Sequence, residues 1–94
     1  MSSECRLTSK AAEYRGSRSF TSNYRACQRW DRQTPHAHSL RHGWMFPDAD
    51  VAAAGARCRN PGGVRARPWC FTSDPAVAWE YCDIPRCGAY PPRF

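Results

Sequence analysis

The sequence predicts a small, disulfide-rich domain made mostly of loops, with short antiparallel β hairpins and almost no helix. Six cysteines occur in 94 residues, an even count at a density typical of disulfide frameworks in oxidising compartments. Eight prolines and six glycines disfavour long helices and strands. Leu7, Leu40 and Ile84 are the whole supply of leucine and isoleucine, so a large aliphatic core is excluded.

The spacing of the cysteines argues against a zinc site. Successive cysteines are 22, 31, 12, 12 and 5 positions apart, so no pair is separated by only two residues, and the set of gaps matches no common zinc finger or ribbon. We therefore expect disulfides, no metal and no cofactor. Covalent links would offset the small core of so short a chain. The six residues are Cys5, Cys27, Cys58, Cys70, Cys82 and Cys87.

Aromatic side chains are expected to replace the missing aliphatic core of this single domain. Each buried aromatic residue can hide about 150–250 Å² of surface. The obvious candidates are the four tryptophans, Trp30, Trp44, Trp69 and Trp79.

The chain is strongly basic, with a net charge of +6, and all but Lys10 of its 14 basic residues are arginines. This balance favours an anionic partner, because the guanidinium fork matches sulfate, phosphate and carboxylate groups. No standard nucleic-acid-binding motif is present, so nucleic acid is not expected. No apolar stretch is long enough to span a membrane. Met1 is not followed by a signal peptide, so we interpret the chain as an excised extracellular module, with Met1 added for expression.

Local patterns predict one hairpin, one helical turn and one tight turn. Residues 67–72 and 76–82 are the best short strands, and Val77, Trp79 and Tyr81 alternate onto one face of the second. Residues 51–56 favour a single helical turn that Gly55 weakens. The Asn-Pro-Gly-Gly segment at 60–63 suits a type II turn. Residues 1–4 and 88–94 are predicted to be loosely held tails.

Several motifs accompany the six cysteines: YRG at 14–16, CQRW at 27–30, TPHAH at 34–38, CRNP at 58–61, PWCFT at 68–72, DP at 74–75 and WEYCDIPRC at 79–87. With these motifs in register, the chain resembles a kringle domain from residue 5 to residue 87. The resemblance implies a flattened, loop-rich fold with Trp30 and Trp69 packed beside crossed inner bridges. It also implies three pairs, Cys5–Cys87, Cys27–Cys70 and Cys58–Cys82, a choice that spacing alone leaves open among fifteen connectivities.

Many kringles resemble one another in a shallow trough that holds a lysine side chain. The aromatic part of that trough carries over to Trp69, Phe71, Trp79 and Tyr81, although inward packing of Trp69 and Tyr81 is an open alternative. The charged ends do not carry over. Gly62 and Val64 stand where acids are expected, and Leu40 and Ala78 stand where cations are expected.

Two further arginines, Arg65 and Arg67, lie on the same loop as the lost acids. Like charges a few ångströms apart near a surface cost roughly 1–4 kcal/mol. We therefore predict a degenerate site without useful affinity for free lysine or ε-aminocaproic acid.

Three functions remain open for this module, which we expect to be monomeric when isolated. The first is docking to an extracellular protein through the aromatic trough. The second is binding of a sulfated glycosaminoglycan or another polyanion, and the third is a structural spacer in a larger protein such as a trypsin-like protease zymogen, growth factor or receptor. Candidate polyanion contacts are Arg15, Arg18, Arg25, Arg29, Arg32, Arg57, Arg59, Arg65 and Arg67.

Catalytic and metal chemistry are not expected. There is no nucleophile elbow and no phosphate loop, and oxidised cysteines cannot act as nucleophiles. His36, His38 and His42 could in principle bind a metal. The first two belong to a segment shared by many kringles, so we assign them a role in the fold. Neither Asn23 nor Asn60 begins a glycosylation sequon.

Overall fold

A computed structural model describes residues 4–88. Its regular structure consists of two strands, β1 (Trp69–Phe71) and β2 (Trp79–Tyr81), and one short helix, α1 (Val51–Ala54). Two 3₁₀ turns complete it, at Gly43–Met45 and Pro61–Gly63. The predicted class, a small disulfide-rich fold with almost no helix, is confirmed. Within residues 4–88, no helix has the length and apolar character needed to cross a membrane.

The predicted hairpin forms, with shorter strands than the sequence pattern suggests. Strands β1 and β2 pair antiparallel, with Trp69 opposite Tyr81 and Phe71 opposite Trp79. The connection between them is held by Thr72, whose hydroxyl donates to the Val77 carbonyl and accepts the Asp74 amide proton. The turn takes up Thr72 and residues 76–78 at the inner ends of the predicted strands, and each observed strand has three residues.

The three disulfides are those that the resemblance implies. Cys5 is bonded to Cys87, Cys27 to Cys70 and Cys58 to Cys82. The two inner bridges meet at the centre of the domain, where the sulfurs of Cys27 and Cys58 are 3.8 Å apart. All four inner cysteines are buried, whereas Cys5 and Cys87 are half-buried. The crossed bridges therefore take the place of an aliphatic core.

Aromatic rings surround the inner bridges. Trp30 packs edge-on against Trp69, Phe46 and Phe71, with ring centroids 5.1, 5.3 and 5.8 Å apart. Its indole nitrogen donates to the Arg57 carbonyl at 2.6 Å. Trp30 thus has the structural role that the resemblance implies.

One tryptophan contradicts the expectation of a core position. Trp44 is 78% exposed and stacks only on the His42 ring, at 6.0 Å between centroids. The 3₁₀ turn at Gly43–Met45 has no buried residue, so it turns this side chain away from the core. Trp44 is therefore a surface residue.

Two predicted local features are present. In α1, Asp50 caps the helix by accepting the Ala53 amide proton at 2.8 Å, and Gly55 ends it with φ of 60°. In the 60–63 segment, Gly62 has φ of 63° and ψ of 7°, as the third position of a type II turn requires. The Gly63 amide closes that turn onto the Asn60 carbonyl at 2.9 Å.

The predicted tails lie largely outside the described residues, because residues 1–3 and 89–94 are not among them. Glu4, assigned above to the N-terminal tail, is held instead. Its carboxylate accepts from the Ser17 amide at 2.9 Å and from the Ser17 hydroxyl at 2.8 Å. These bonds lower the pKa of Glu4, the amide bond contributing most.

Candidate functional site: an aromatic trough beneath two arginines

Strand β2 presents two aromatic rings side by side. Because alternate residues of a strand share a face, Trp79 and Tyr81 point the same way, with ring centroids 5.1 Å apart. Both are half-buried. Trp69 supports them from below, with its ring 5.7 Å from that of Trp79. The open surface of the trough is therefore formed by Trp79 and Tyr81.

The other two predicted trough residues, Trp69 and Phe71, are less accessible to a ligand. Trp69 is completely buried, which corrects the expectation that it lines the surface, because three aromatic rings and the Arg65 guanidinium pack around it. Phe71 is half-buried, and the His38 ring stacks on it at 4.8 Å with an interplanar angle of 16°. Of the two residues for which inward packing was an alternative, Trp69 is fully buried, whereas Tyr81 packs against the core but stays half-buried.

Two arginines of the chain itself lie on the trough. The guanidinium carbon of Arg65 is 3.6 Å from the centroid of the Trp79 ring and 4.3 Å from that of Trp69. That of Arg67 is 4.1 Å from the centroid of the Tyr81 ring. A cation over an aromatic face is attracted by the ring quadrupole, by about 0.5–2 kcal/mol depending on solvation. Sequence reasoning placed these cations near the trough but did not foresee that they stack on its rings.

Asn60 fixes the position of the Arg65 backbone. Its side-chain oxygen accepts from the Arg65 amide at 3.1 Å, and its side-chain nitrogen donates to the Arg65 carbonyl at 2.9 Å. The same oxygen accepts from the indole nitrogen of Trp69 at 3.1 Å, and the same nitrogen donates to the Lys10 carbonyl at 2.7 Å. The fully buried side-chain amide of Asn60 thus links the backbone of Arg65 to Trp69, which lies beneath the trough.

None of the four positions expected at the charged ends of the trough carries an acid or a base. Val64 is 58% exposed, and Leu40 packs against the core, while Ala78 and Gly62 are exposed. The ion pairs of residues 4–88 involve Arg25, Arg29 and Arg59, and none joins Arg65 or Arg67 to an acid. The trough is therefore apolar with two cations on it.

The acid of strand β2 points away from this surface. Glu80 accepts from Thr21 Oγ1 at 2.6 Å, from Asn23 Nδ2 at 2.9 Å and from Arg25 Nη1 at 2.7 Å. These donors, the Thr21 hydroxyl first, lower the pKa of Glu80. Arg25 also reaches Asp74 at 3.4 Å. The charge of Arg25, one of the candidate polyanion contacts, is thus largely balanced within the domain.

Arg59 is not a surface cation, which corrects its place among the candidate polyanion contacts. It is 1% exposed and forms two bonds to the Asp48 carboxylate, at 2.9 and 3.1 Å. It also donates to the carbonyls of Gly16 and Cys58 at 2.9 and 2.7 Å. A buried charge requires such a partner, so this arginine belongs to the framework.

Two other arginines converge on a shallow, open pocket of about 360 Å³. The pocket is also lined by Ser17, Ser19 and Gly55. A β-carbon projecting from Gly55 would lie 3.1 Å from Arg57 Nη1 and 3.9 Å from Arg29 Nη1. Arg29 is also held by Asp31 at 2.9 Å, so the pocket keeps one uncompensated arginine.

The other candidate polyanion contacts, Arg15, Arg18 and Arg32, do not line this pocket. Arg18 covers the Phe20 ring at 4.8 Å and donates to the Asp83 carbonyl at 3.0 Å. Arg15 and Arg32 are exposed. The nine candidate arginines therefore do not form one described cluster: Arg65 and Arg67 lie on the trough, Arg29 and Arg57 line the pocket, and Arg59 is buried.

The histidines contact the backbone of the domain. A ring nitrogen of His36 lies 2.9 Å from the Asp74 carbonyl, and one of His38 lies 3.1 Å from the Arg32 carbonyl. The Leu40 amide donates to the second ring nitrogen of His38 at 3.1 Å.

The four inner cysteines bring their sulfurs within 4.8 Å of one another, but these atoms form the two inner bridges and are not thiolate ligands.

The family model of the kringle domain matches residues 5–87. The match covers most of the chain and includes all six bridged cysteines. The chain therefore belongs to the kringle family, whose domains are generally non-catalytic modules that mediate protein–protein interaction. Kringles and their disulfides are typical of extracellular proteins, so this fold supports a binding module within a larger protein.

Proposed function

We propose that this kringle is an extracellular, non-catalytic docking module of a larger secreted or membrane-anchored protein. It recognises a protein partner through the trough of Trp79 and Tyr81, and it does not bind free lysine or its analogues. The observation that carries the proposal is the stacking of Arg65 on Trp79 at 3.6 Å.

Loss of lysine binding follows from both shape and charge. The alkyl chain of lysine would need the ring faces that the two guanidinium groups cover. Its ammonium would lie beside two cations, with no acid in place at Gly62 or Val64. Repulsion of roughly 1–4 kcal/mol at such distances opposes a contact that gains little apolar burial. Lysine is therefore rejected.

Calorimetric titration with ε-aminocaproic acid tests this part of the proposal. We expect no saturable heat at ligand concentrations up to about 1 mM. A dissociation constant of about 1 mM corresponds to a binding free energy of only about −4 kcal/mol. A saturable isotherm with a dissociation constant below that concentration would contradict it.

A phage-displayed library of random peptides tests the docking role. Clones selected on the wild-type domain should lose binding to the Trp79→Ala variant, because large aromatic residues dominate docking surfaces. They should keep binding to Trp44→Ala, which removes an exposed tryptophan outside the trough. Clones that bind both variants equally would show that the trough is not the docking surface.

Polyanion binding is a second candidate, favoured by the convergence of Arg29 and Arg57 beside Ser17 and Ser19. The two guanidinium groups provide donors for a sulfate group. On heparin resin we expect retention at about 0.15 M salt and elution at lower salt for Arg57→Gln than for the control Arg32→Gln. Passage of the wild-type domain through the resin at that salt would remove this candidate. A spacer role would then remain if the docking test also failed.

A further inference from the structure

We propose that the trough has inverted polarity and binds carboxylate side chains of an acidic peptide segment on the partner protein. This inference rests on the docking role proposed above and names the chemistry of the partner. Arg65 and Arg67, which exclude a lysine ammonium, become the groups that hold the ligand.

Within residues 4–88, the two cations are held by aromatic rings and have no acidic partner. They stack on adjacent rings whose centroids are 5.1 Å apart, and no acid of residues 4–88 forms an ion pair with either of them. The Nε atom of Arg65 is closed off from solvent and finds no hydrogen-bond acceptor within the described part of the chain. A guanidinium held in this way is only partly solvated, and a bound carboxylate would supply the missing counter-charge.

The anchoring of Arg65 prepares it for such a ligand. Its backbone is held by two hydrogen bonds to buried Asn60, and its side chain is held between the rings of Trp79 and Trp69. Little conformational freedom is left for binding to remove, so each new contact contributes more fully to affinity.

The surroundings favour an acidic peptide over a sulfated polysaccharide. The rings of Trp79 and Tyr81 are half-buried and Val64 is 58% exposed, so the cations are set in an apolar frame. The ring faces themselves are covered by the guanidinium groups, so the methylene groups of glutamate gain from contact with the exposed Val64 side chain, whereas a sulfated sugar has no comparable apolar stem. In an extended peptide, alternate side chains project from the same face about 6.5–7 Å apart, which suits two neighbouring cations.

The test uses four probes: tetraglutamate and the matching tetraglutamine, both acetylated and amidated, ε-aminocaproic acid, and a heparin tetrasaccharide. Titrations are followed by ¹H–¹⁵N NMR on the whole domain, with the Arg65 Nε–H and the Trp79 and Trp69 indole N–H signals as local reporters. We expect tetraglutamate to shift these signals in a saturable way and tetraglutamine to leave them unchanged. The variant Arg65→Gln/Arg67→Gln should weaken tetraglutamate binding about tenfold or more, the loss expected when charged hydrogen bonds are removed.

The matched control, Arg15→Gln/Arg32→Gln, has the same net charge as the test variant and changes two exposed side chains. It should change the affinity by less than about twofold, since distant surface charges are largely screened. If the double variant fails to fold, the single variant Arg67→Gln tests the inference instead. Arg67 is exposed, and its loss should still weaken tetraglutamate binding.

Four results would overturn the inference: no saturable binding of tetraglutamate, equal affinity for tetraglutamate in the test and control variants, equal shifts with tetraglutamine, or tighter binding of the heparin tetrasaccharide at the same signals. Saturable binding of ε-aminocaproic acid would instead contradict the proposed function. A domain that binds neither ε-aminocaproic acid nor tetraglutamate would refute only the acidic ligand.

Discussion

The side-chain amide of Asn60 brackets the backbone of Arg65, accepting from its N–H at 3.1 Å and donating to its carbonyl at 2.9 Å. Because the same amide oxygen also accepts from Trp69, one buried residue joins the core to the cation above the trough. The position of the Arg65 guanidinium is therefore set by the interior of the domain as well as by ring stacking.

Replacing Asn60 with alanine should destabilise the domain and loosen Arg65 together. The change leaves four buried or half-buried groups without their partners, a cost of about 2–4 kcal/mol in the free energy of unfolding. Urea unfolding followed by tryptophan fluorescence measures it. The control, Asn23→Ala, removes one exposed bond to Glu80 and should cost less than about 1 kcal/mol; equal losses in the two variants would contradict the role of Asn60.

Replacing Arg59 with leucine should be among the most damaging arginine substitutions in the chain. It leaves the Asp48 carboxylate, which is only 10% exposed, without its ion-pair partner. Breaking a buried pair from one side typically costs about 3–5 kcal/mol. In thermal denaturation, the exposed neighbour variant Arg57→Leu should change stability by no more than about 0.5 kcal/mol. Similar melting of the two variants would show that Arg59 is not structural.

The stability of the domain should fall as the pH drops below the ordinary range of histidine. Burial of the ring, aided by the charge of Arg41, lowers the pKa of His38 from 6.5, although hydrogen bonding to the Arg32 carbonyl opposes the shift. The unfolded chain therefore takes up the proton more readily, so the contribution of His38 is present above about pH 6.5 and is lost as the pH falls through the lowered pKa.

Urea unfolding at a series of pH values from 7.5 to about 5 measures this dependence. The variant His38→Asn keeps an acceptor for the Leu40 amide and should flatten the profile. His42→Gln, which changes an exposed ring, should leave the slope unaltered. A slope that survives in His38→Asn would assign the dependence to another group.

Mild reduction should open the outer bridge before the inner ones. Cys5 and Cys87 are half-buried, whereas all four inner cysteines are buried, and thiol–disulfide exchange requires access to a sulfur atom. Partial reduction followed by alkylation and peptide mass spectrometry should find label first on Cys5 and Cys87. Earlier labelling of Cys27 or Cys58 would contradict this order.

The sequence allowed much of the framework to be predicted, because bridges and turns depend on local signals. The hairpin follows from alternating aromatic residues, and the turn at 60–63 from its proline and glycines. The disulfide pairs came from the resemblance, since connectivity depends on long-range contacts that spacing does not encode. The helical turn formed as expected because Asp50 caps it.

Side-chain placement was harder to predict. Arginine is seldom buried unless it is paired, and nothing in the local sequence links Arg59 to Asp48, eleven residues away. Tryptophan is usually buried, yet Trp44 lies on an exposed turn. A signal for the covered trough did exist: Arg65 and Arg67 share the two-residue spacing of Trp79 and Tyr81, which allows one cation per ring.

The Cys5–Cys87 bridge brings the α-carbons of these two residues to within 4.9 Å of each other. Polypeptide attached before Cys5 and after Cys87 is therefore joined at nearly the same point of the domain. A force applied to these two attachments passes through the Cys5–Cys87 disulfide and does not load the hydrogen bonds of the interior. In an optical trap, pulling on both flanks should extend the intact domain by almost nothing, and a reducing agent should release its whole length.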